Sequence, residues 1–210
     1  LKGVAVGGMG IVFEGTDSFG RTVALKVALD ETDSELAKRF KGEAKLTAEL
    51  AAKDKRIPAI IHAGVFPEGG LAFYTMELIK GTTLSKTIEA LHSLSGGEID
   101  WKANPGAKKL LGSISEAALA LQVAHEQKIF HRDVKPENLM VPEGIKVPIK
   151  VIDWGLFKGG VSETALSESL DQPGLTEAGL GTIDYMSPEQ ARGEQVSAAT
   201  DVWALGATLY

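Results

Sequence analysis

The feature that most constrains this chain is the string His-Arg-Asp-Val-Lys-Pro-Glu-Asn at residues 131–138, which is followed by an Asp-Trp-Gly triplet that begins at Asp153. The string supplies a carboxylate at Asp133, a cation at Lys135 and an amide oxygen at Asn138. Carboxylate and amide oxygens are ligands that Mg²⁺ prefers, and a Lys beside them can neutralise a phosphate. The pattern therefore predicts a site for phosphate chemistry.

The two segments resemble the catalytic loop and the metal-binding triplet of the eukaryotic-like Ser/Thr protein kinases that are common in bacteria. The resemblance implies that Asp133 orients the acceptor hydroxyl and takes its proton, and that Lys135 neutralises the γ-phosphate of ATP. It also implies that Asn138 and Asp153 hold Mg²⁺. Trp154 stands where the family usually has Phe. It keeps a large aromatic side chain, so we interpret the change as neutral for the chemistry.

A Gly-rich turn near the N terminus resembles the kinase pattern G-x-G-x-x-G-x-V, with Ala5 in place of the first Gly. Taken alone, it is equally well explained as an ordinary Gly-rich hairpin. The resemblance implies that its backbone N–H groups approach the phosphates of ATP, where a Cβ would block them. We expect Ala5 to affect nucleotide affinity only mildly. The ATP-contacting residues implied for this turn are Ala5, Val6, Gly7, Gly8, Gly10 and Val12.

The segment Val-Ala-Leu-Lys at residues 23–26 resembles the kinase strand that carries an ATP-binding Lys. The resemblance implies that Lys26 binds the α- and β-phosphates and pairs with Glu43 of the following helix. A carboxylate on the inner face of a helix needs a cationic partner. Glu35 and Glu49 lie on the same predicted helix, and we favour Glu43 because its spacing places it on the apolar face.

The resemblance also implies an adenine site. Adenine is expected to bond to the backbone of Glu77 and Ile79, with Met76 as the gatekeeper at the rear of the pocket. Three apolar side chains are expected to cover the ring, namely Val12, Ala24 and Met140. Plain core packing is the alternative role for these side chains, and the two roles can coexist.

Two further segments fit the family, GTIDYMSPE at residues 181–189 and DVWALG at residues 201–206. The resemblance implies that Thr182 contacts Asp133 and Lys135, and that Asp201 braces the backbone around His131 and Arg132. Because Lys135 and Thr182 are the residues that Ser/Thr kinases place at these positions, the expected acceptors are Ser and Thr hydroxyls of proteins.

Regulation by phosphorylation is a hypothesis that the resemblance suggests. Arg132 directly precedes Asp133, and such kinases often hold a phosphorylated activation loop against this Arg. Residues between Gly155 and Gly181 are rich in Gly, Ser and Thr and are predicted to form a mobile loop. The candidate acceptors there are Thr164, Ser167, Ser169 and Thr176. We favour Thr176 by position, although each candidate is equally well explained as an ordinary polar loop residue. Autophosphorylation of this loop, and dimerisation, are hypotheses for activation.

Hydrophobic periodicity predicts the order of elements. Strands are predicted within residues 1–29, 59–66, 71–78 and 147–152. Helices are predicted after Thr32, over residues 82–95, from Asn104 to near Lys128 and over residues 198–210. Thr32 with Glu35 forms a capping-box pattern, and Asn104-Pro105 is a favourable helix start. The first helix is predicted to place on one face Leu36, Phe40, Glu43, Thr47 and Leu50.

This order favours an α+β fold, and the resemblance implies a bilobal, protein-kinase-like fold with ATP bound between the lobes. One catalytic domain is expected over residues 1–210. It comprises a β-rich N-lobe with one main helix (residues 1–76), a hinge (residues 77–81) and a partial, mostly helical C-lobe (residues 82–210). We expect the C-lobe to be incomplete and the chain to be poorly stable alone, because it ends at Tyr210 within an apolar helical pattern.

Composition excludes several other classes of protein. Apolar residues make up 44% of the 210 residues, which is typical of a globular chain. The absence of Cys excludes disulfides and thiolate metal sites. A net charge of −6 argues against a nucleic-acid partner. No apolar run is long enough to span a membrane, and no signal peptide is visible. We therefore expect a cytoplasmic kinase domain, with any membrane anchor lying outside this segment.

Three functions remain open at this point. The first is an active Ser/Thr protein kinase that uses ATP and Mg²⁺. The second is a pseudokinase that keeps the fold as a binding module, for which Ala5 and Trp154 are the only hints. The third is a small-molecule phosphotransferase, which the Ser-Pro-Glu of residues 187–189 argues against.

Overall fold

The computed structural model describes residues 2–7, 10–31, 35–95, 102, 104–144, 147–154 and 183–210 of the chain. The chain forms two compact units, Leu1–Lys80 and Gly81–Tyr210. Within the described part of the chain, no helix is both long enough and apolar enough to cross a bilayer.

The N-terminal unit is a five-stranded antiparallel sheet with one helix, α1 (Glu35–Ala51), in the strand order β1-β2-β3-β5-β4. The strands are β1 (Lys2–Gly7), β2 (Gly10–Thr16), β3 (Thr22–Glu31), β4 (Ile60–Val65) and β5 (Leu71–Glu77). The central strand β3 pairs with β2 on one side and β5 on the other. This position buries Val23, Ala24 and Ala28, whose small or β-branched side chains suit a covered sheet.

Helix α1 packs one face against this sheet. Phe40 and Ala44 meet Ala28, Ala72 and Tyr74 in the core of the unit. The predicted inner face is confirmed at four positions, since the structure buries Phe40, Glu43, Thr47 and Leu50. The capping-box position Thr32 lies outside the described residues.

Gly10 lies where β2 approaches β3 too closely for any side chain. A Cβ built on Gly10 would come within 2.5 Å of the Val27 carbonyl oxygen and 3.2 Å of the Phe40 ring. Because the paired strand cannot move away cheaply, we expect Gly10→Ala to cost about 1–3 kcal/mol of unfolding free energy, measured by urea titration. Gly3→Ala in β1 is the matched control, since a Cβ there meets nothing within 4 Å. Equal losses of unfolding free energy in the two variants would contradict the explanation that a Cβ at Gly10 clashes with β3.

The C-terminal unit combines a small antiparallel sheet with helices. Its strands, in the order β6-β7-β8, are β6 (Gly81–Thr83), β7 (Leu139–Pro142) and β8 (Lys150–Val151). Its described α-helices are α2 (Leu84–Ser95), α3 (Pro105–His125), α4 (Pro188–Ala191) and α5 (Ala198–Leu209). The predicted start of α3 is confirmed, because Asn104 Oδ1 accepts hydrogen bonds from Gly106 N and Ala107 N at 2.8 and 3.2 Å.

Several predicted boundaries in this unit are wrong. Helix α2 begins at Leu84 rather than at residue 82, because residues 81–83 pair with β7, a strand that the periodicity did not predict. The predicted strand over residues 147–152 is reduced to the two residues of β8. Helix α3 ends at His125, and three residues later Lys128 has a left-handed φ of 60°. The predicted mobile loop over residues 155–181 lies outside the described residues.

Candidate active site

The N-terminal unit holds a buried charged group built around Glu43. Lys26 Nζ lies 2.7 Å from Glu43 Oε1, so the predicted pair is present. The Tyr74 hydroxyl donates to the same Oε1, also at 2.7 Å. Lys26, Glu43 and Tyr74 are 5%, 1% and 2% exposed, respectively. Two donors therefore share one oxygen, and both offset the cost of burying the carboxylate.

Tyr74 was not predicted as a site residue. Its position follows from strand register, since Tyr74 of β5 lies directly opposite Lys26 of β3 and so faces the same side of the sheet. The other Glu43 oxygen, Oε2, is buried and has no hydrogen-bond partner among the described residues. Buried polar atoms are nearly always bonded, so Oε2 is suited to accept from a donor supplied by water or a ligand.

Removing the Tyr74 hydroxyl tests how much it supports Glu43. We expect Tyr74→Phe to cost about 1.5–3 kcal/mol of unfolding free energy, the usual range for a hydrogen bond to a charged group. The measurement is urea unfolding at neutral pH. Tyr185→Phe is the control, because the structure shows no hydrogen bond from the half-buried Tyr185 hydroxyl to a described residue. A Tyr74→Phe variant as stable as the native chain would show that Lys26 alone holds Glu43.

In the C-terminal unit, the structure brings Asp133, Lys135 and Asn138 together. Lys135 Nζ lies 3.3 Å from Asp133 Oδ2. Asn138 Nδ2 donates to the same Oδ2 at 3.2 Å and to the Asp133 carbonyl oxygen at 2.8 Å. Because the amide nitrogen of Asn138 is engaged with Asp133, the amide oxygen is the atom that Asn138 can offer to a cation.

His131 connects this loop to the segment that carries Asp153. Its Nδ1 accepts from Asp133 N at 3.3 Å, and its Nε2 lies 2.9 Å from the carbonyl oxygen of Ile152. A carbonyl can only accept, so these contacts fix the neutral tautomer with its proton on Nε2. The buried ring packs against Trp154 at 4.8 Å between centroids, and Trp154 Nε1 donates to the Val151 carbonyl at 3.0 Å. Trp154 is therefore accommodated as a fully buried side chain.

Arg132 and Asp153 have left-handed backbones, with φ of 65° and 56°. Such a conformation costs free energy in a residue other than Gly, so surrounding contacts must hold it. At Arg132 both peptide groups are held. Its N–H donates to Asp201 Oδ1 at 2.8 Å, and its carbonyl accepts from Gln190 Nε2 at 2.8 Å.

Asp201 is the main brace of the loop. Its Oδ2 accepts from His131 N at 2.9 Å and contacts His125 Nε2 at 2.7 Å. The predicted bracing of His131 and Arg132 by Asp201 is thus confirmed. The contacts from His125 and Gln190 were not predicted, and no spacing in the sequence signals them.

The ionisation of Asp201 follows from its surroundings. Complete burial acts to raise its pKa. The hydrogen bond from His125 and the backbone N–H groups of His131 and Arg132 outweigh burial and hold the pKa of Asp201 below its ordinary value. The carboxylate that braces the loop therefore stays charged well into the acidic range.

The structure gives the strand pairing, hydrogen bonding or burial of the residues that were predicted to bind adenine. Ala24 is buried and pairs across the sheet with Met76, which packs partly against the core. The Glu77 N–H donates to the Ala59 carbonyl at 2.9 Å, so an adenine contact at Glu77 would use its carbonyl oxygen. Ile79 and Met140 are half-buried.

The Gly-rich turn is described except at its tip. Val12 lies opposite Lys26 in the β2–β3 register, and Val6 is largely exposed on β1. Ala5 and Gly7 also lie on β1. The remaining predicted residues lie outside the described part of the chain, namely Gly8, Thr182, Thr164, Ser167, Ser169 and Thr176.

The donors available for a cation are few. Among the described residues there is no group of three or more His, Cys, Asp and Glu side chains that could hold a metal. Mg²⁺ in phosphate-transfer sites is commonly held by one or two protein oxygens together with substrate phosphates. Asn138 and Asp153 fit that role, and the amide orientation at Asn138 supports it.

Nearly the whole chain matches the sequence pattern of a known protein family. The family is the protein kinase domain, and the match covers residues 2–210. The chain belongs to the protein kinase family. This family generally uses ATP as the phosphate donor together with Mg²⁺.

Curated relatives of this kinase chain come from several bacteria. It is 32% identical to the serine/threonine-protein kinase PknD of Chlamydia abortus, covering 100% of this chain and 23% of the relative. It is 34% identical to PknA of Mycobacterium tuberculosis, covering 99% and 44%, and 35% identical to pkn3 of Myxococcus xanthus, covering 99% and 36%. The chain thus spans less than half the length of these relatives.

Proposed function

We propose that this chain is the catalytic domain of an active protein Ser/Thr kinase, which transfers the γ-phosphate of ATP to Ser and Thr hydroxyls of proteins. The observation that carries the proposal is the contact group of Asp133, Lys135 and Asn138, fixed by the brace from Asp201. The names of the relatives, all serine/threonine-protein kinases, support the same reaction.

In the proposed reaction, the hydroxyl oxygen of the acceptor forms a bond to the γ-phosphorus, and the bond from that phosphorus to the bridging oxygen of ADP breaks. Asp133 orients the hydroxyl and receives its proton. Lys135 neutralises charge on the transferred phosphate. Phosphoryl transfer depends mainly on positioning and charge neutralisation, which suits a loop held as rigidly as this one.

The nucleotide is proposed to bind through the buried residues around Glu43 and through the residues proposed to hold Mg²⁺. Lys26, held by Glu43, would bind the α- and β-phosphates, beneath a Gly-rich turn formed by residues 5–12. Asn138 and Asp153 would hold Mg²⁺, which when bound offsets the negative charge of the phosphates. Phosphate binding by Lys26 would account for a buried Lys among the apolar residues of β3.

The adenine ring is proposed to bond to the Glu77 carbonyl and the Ile79 backbone, within a hinge at residues 77–81 that separates an N-lobe (residues 1–76) from a C-lobe (residues 82–210). Met76 would close the rear of the pocket. The ring would be covered by Val12, Ala24 and Met140.

Acceptor choice and regulation are also proposed from the motifs. Lys135 and Thr182 favour Ser and Thr over Tyr as acceptors. Phosphorylation of Thr176, with Ser169, Ser167 and Thr164 as alternatives, would place a negative charge that Arg132 can bind. Activation through dimerisation remains a proposal.

The test is phosphate transfer by the purified protein. It is incubated with Mg²⁺ and γ-labelled ATP, alone and with a generic basic protein, and the labelled residues are identified. Label on Ser and Thr that disappears when EDTA removes the metal is the expected result. Retained ATP binding without any label would favour the pseudokinase. Label found only on small molecules would favour the small-molecule phosphotransferase.

A further inference from the structure

The peptide group between Arg132 and Asp133 is held at both of its ends. Its carbonyl oxygen, from Arg132, accepts from Gln190 Nε2 at 2.8 Å. Its N–H, from Asp133, donates to His131 Nδ1 at 3.3 Å. This peptide group joins the left-handed residue Arg132, with φ of 65°, to the residue that is proposed to receive the proton. Its orientation therefore sets the point from which the Asp133 side chain extends.

The helix cap of α4 aims the side-chain donor of Gln190 at this peptide group. Gln190 is the third residue of α4, where it closes a capping box with Ser187. Its Oε1 accepts from Ser187 N at 3.2 Å, while its Nε2 donates to the Arg132 carbonyl oxygen. Exchanging the oxygen and nitrogen of the amide would place two donors together at Ser187 and two acceptors together at Arg132. Only one orientation of the Gln190 amide therefore satisfies both contacts.

Helix α4 is also tied to α5, which holds the other side of Arg132. Thr200 Oγ1 donates to Glu189 Oε1 at 2.6 Å, and Thr200 is fully buried. The next residue, Asp201, accepts from Arg132 N at 2.8 Å. A closed ring of contacts therefore runs from Arg132 through α4 and α5 and back to Arg132. Without the Gln190 donor, the left-handed backbone of Arg132 loses one of its two supports.

We propose that Gln190 is a positioning residue for phosphate transfer, which fixes the peptide group before Asp133 and so the place of the Asp133 carboxylate. Its effect on turnover rests on the proposed kinase function, whereas the contact itself stands on the geometry. Because a displacement of about 1 Å at a reacting centre can cost about 100-fold in rate, one hydrogen bond at this place can change kcat.

Gln190→Glu separates this role from the cap of α4. A Glu at the third helical position still accepts from Ser187 N, as in the common Ser-x-x-Glu capping box. It cannot donate when ionised, so the Arg132 carbonyl loses its partner. We expect a folded variant with kcat about 10–100-fold lower and a KM for ATP changed by less than about 2-fold. Gln195→Glu makes the same change at an exposed position nearby, and should leave both constants unchanged.

Gln190→Met is the second variant. Met has nearly the length of Gln but lacks the amide donor, and it adds no charge. It should lower kcat to a similar extent, again without a matching change in the KM for ATP. It decides the result if Gln190→Glu does not fold.

Amide hydrogen exchange tests the contact without any activity. The Asp133 N–H belongs to the same peptide group as the carbonyl that Gln190 holds, so its exchange rate reports on that group directly. NMR should show exchange at Asp133 about 10-fold or more faster in Gln190→Glu and Gln190→Met than in Gln195→Glu.

The outcomes separate the contact from the proposed activity. Unchanged exchange at Asp133 in the Gln190 variants overturns the contact. Faster exchange together with a native kcat overturns the positioning role. A KM for ATP that rises as much as kcat falls also overturns it, because Gln190 would then act on nucleotide binding. Faster exchange in the variants of a chain whose native form transfers no phosphate supports the contact and contradicts the proposed function.

Discussion

Replacing Asp133 with Asn is expected to lower kcat for phosphate transfer by about 10²–10⁴-fold, the range associated with loss of a positioned acid–base group. Asn has nearly the shape of Asp but cannot take the proton of the acceptor hydroxyl. The KM for ATP should change little, because the groups proposed to bind the nucleotide are untouched. The measurement is steady-state kinetics with γ-labelled ATP and a Ser-containing protein acceptor.

The surroundings of Asp133 make this a clean substitution. Its side chain is only 20% exposed, and its Oδ2 accepts from Asn138 and contacts Lys135. An amide oxygen can still accept from both cations and amides, so the loop should keep its shape. Asp184→Asn removes an exposed carboxylate elsewhere in the unit and is the control. If Asp133→Asn kept the native kcat, a different group would have to receive the proton and the assignment of Asp133 would be wrong.

The parts of the fold that could be predicted from sequence are those in which local pattern and burial agree. Helix α1 was placed correctly because its apolar residues recur at helical spacing and because its one inward carboxylate needed a cation. Strand β7 was not predicted because it has only four residues, too few to show a periodic pattern, and directly follows the motif of residues 131–138. The start of α2 was misplaced for a related reason, since residues 81–83 become a strand only by pairing with β7.

The candidate site divides in the same way. Asp133, Lys135 and Asn138 are close in sequence, and the motif that contains them predicted that their side chains would be in contact. Tyr74, His125 and Gln190 are different, because each reaches a partner that is 31, 76 or 58 residues away in the chain. Such contacts depend on tertiary packing, which single-sequence periodicity does not encode. Tyr74 lies opposite Lys26 in the β3–β5 register, but that register is known from the structure and not from the sequence.

Asp201 is expected to be the most important residue for holding the catalytic loop in shape. Replacing Asp201 with Ala leaves two backbone N–H groups and the His125 ring without their acceptor. We expect a loss of about 3–5 kcal/mol of unfolding free energy, as for the removal of one partner from a buried charged contact. Any folded fraction should also show a lower kcat, because the left-handed Arg132 next to Asp133 loses its support.

The pH dependence of Asp201→Asn separates the charge of Asp201 from its shape. The pKa of Asp201 is held below its ordinary value in the folded chain, so its ionised form stabilises the fold above a pH of about 3.9, the pKa of Asp in unfolded chains. That stabilisation is lost as the pH falls through the folded pKa. Urea unfolding over a pH series should therefore show the native chain well above Asp201→Asn in stability at neutral pH, with the gap closing in the acidic range. Asp184→Asn, at an exposed carboxylate, is the control for the substitution itself. A gap that stays constant down to the most acidic pH would mean that the shape of Asp201, rather than its charge, braces the loop.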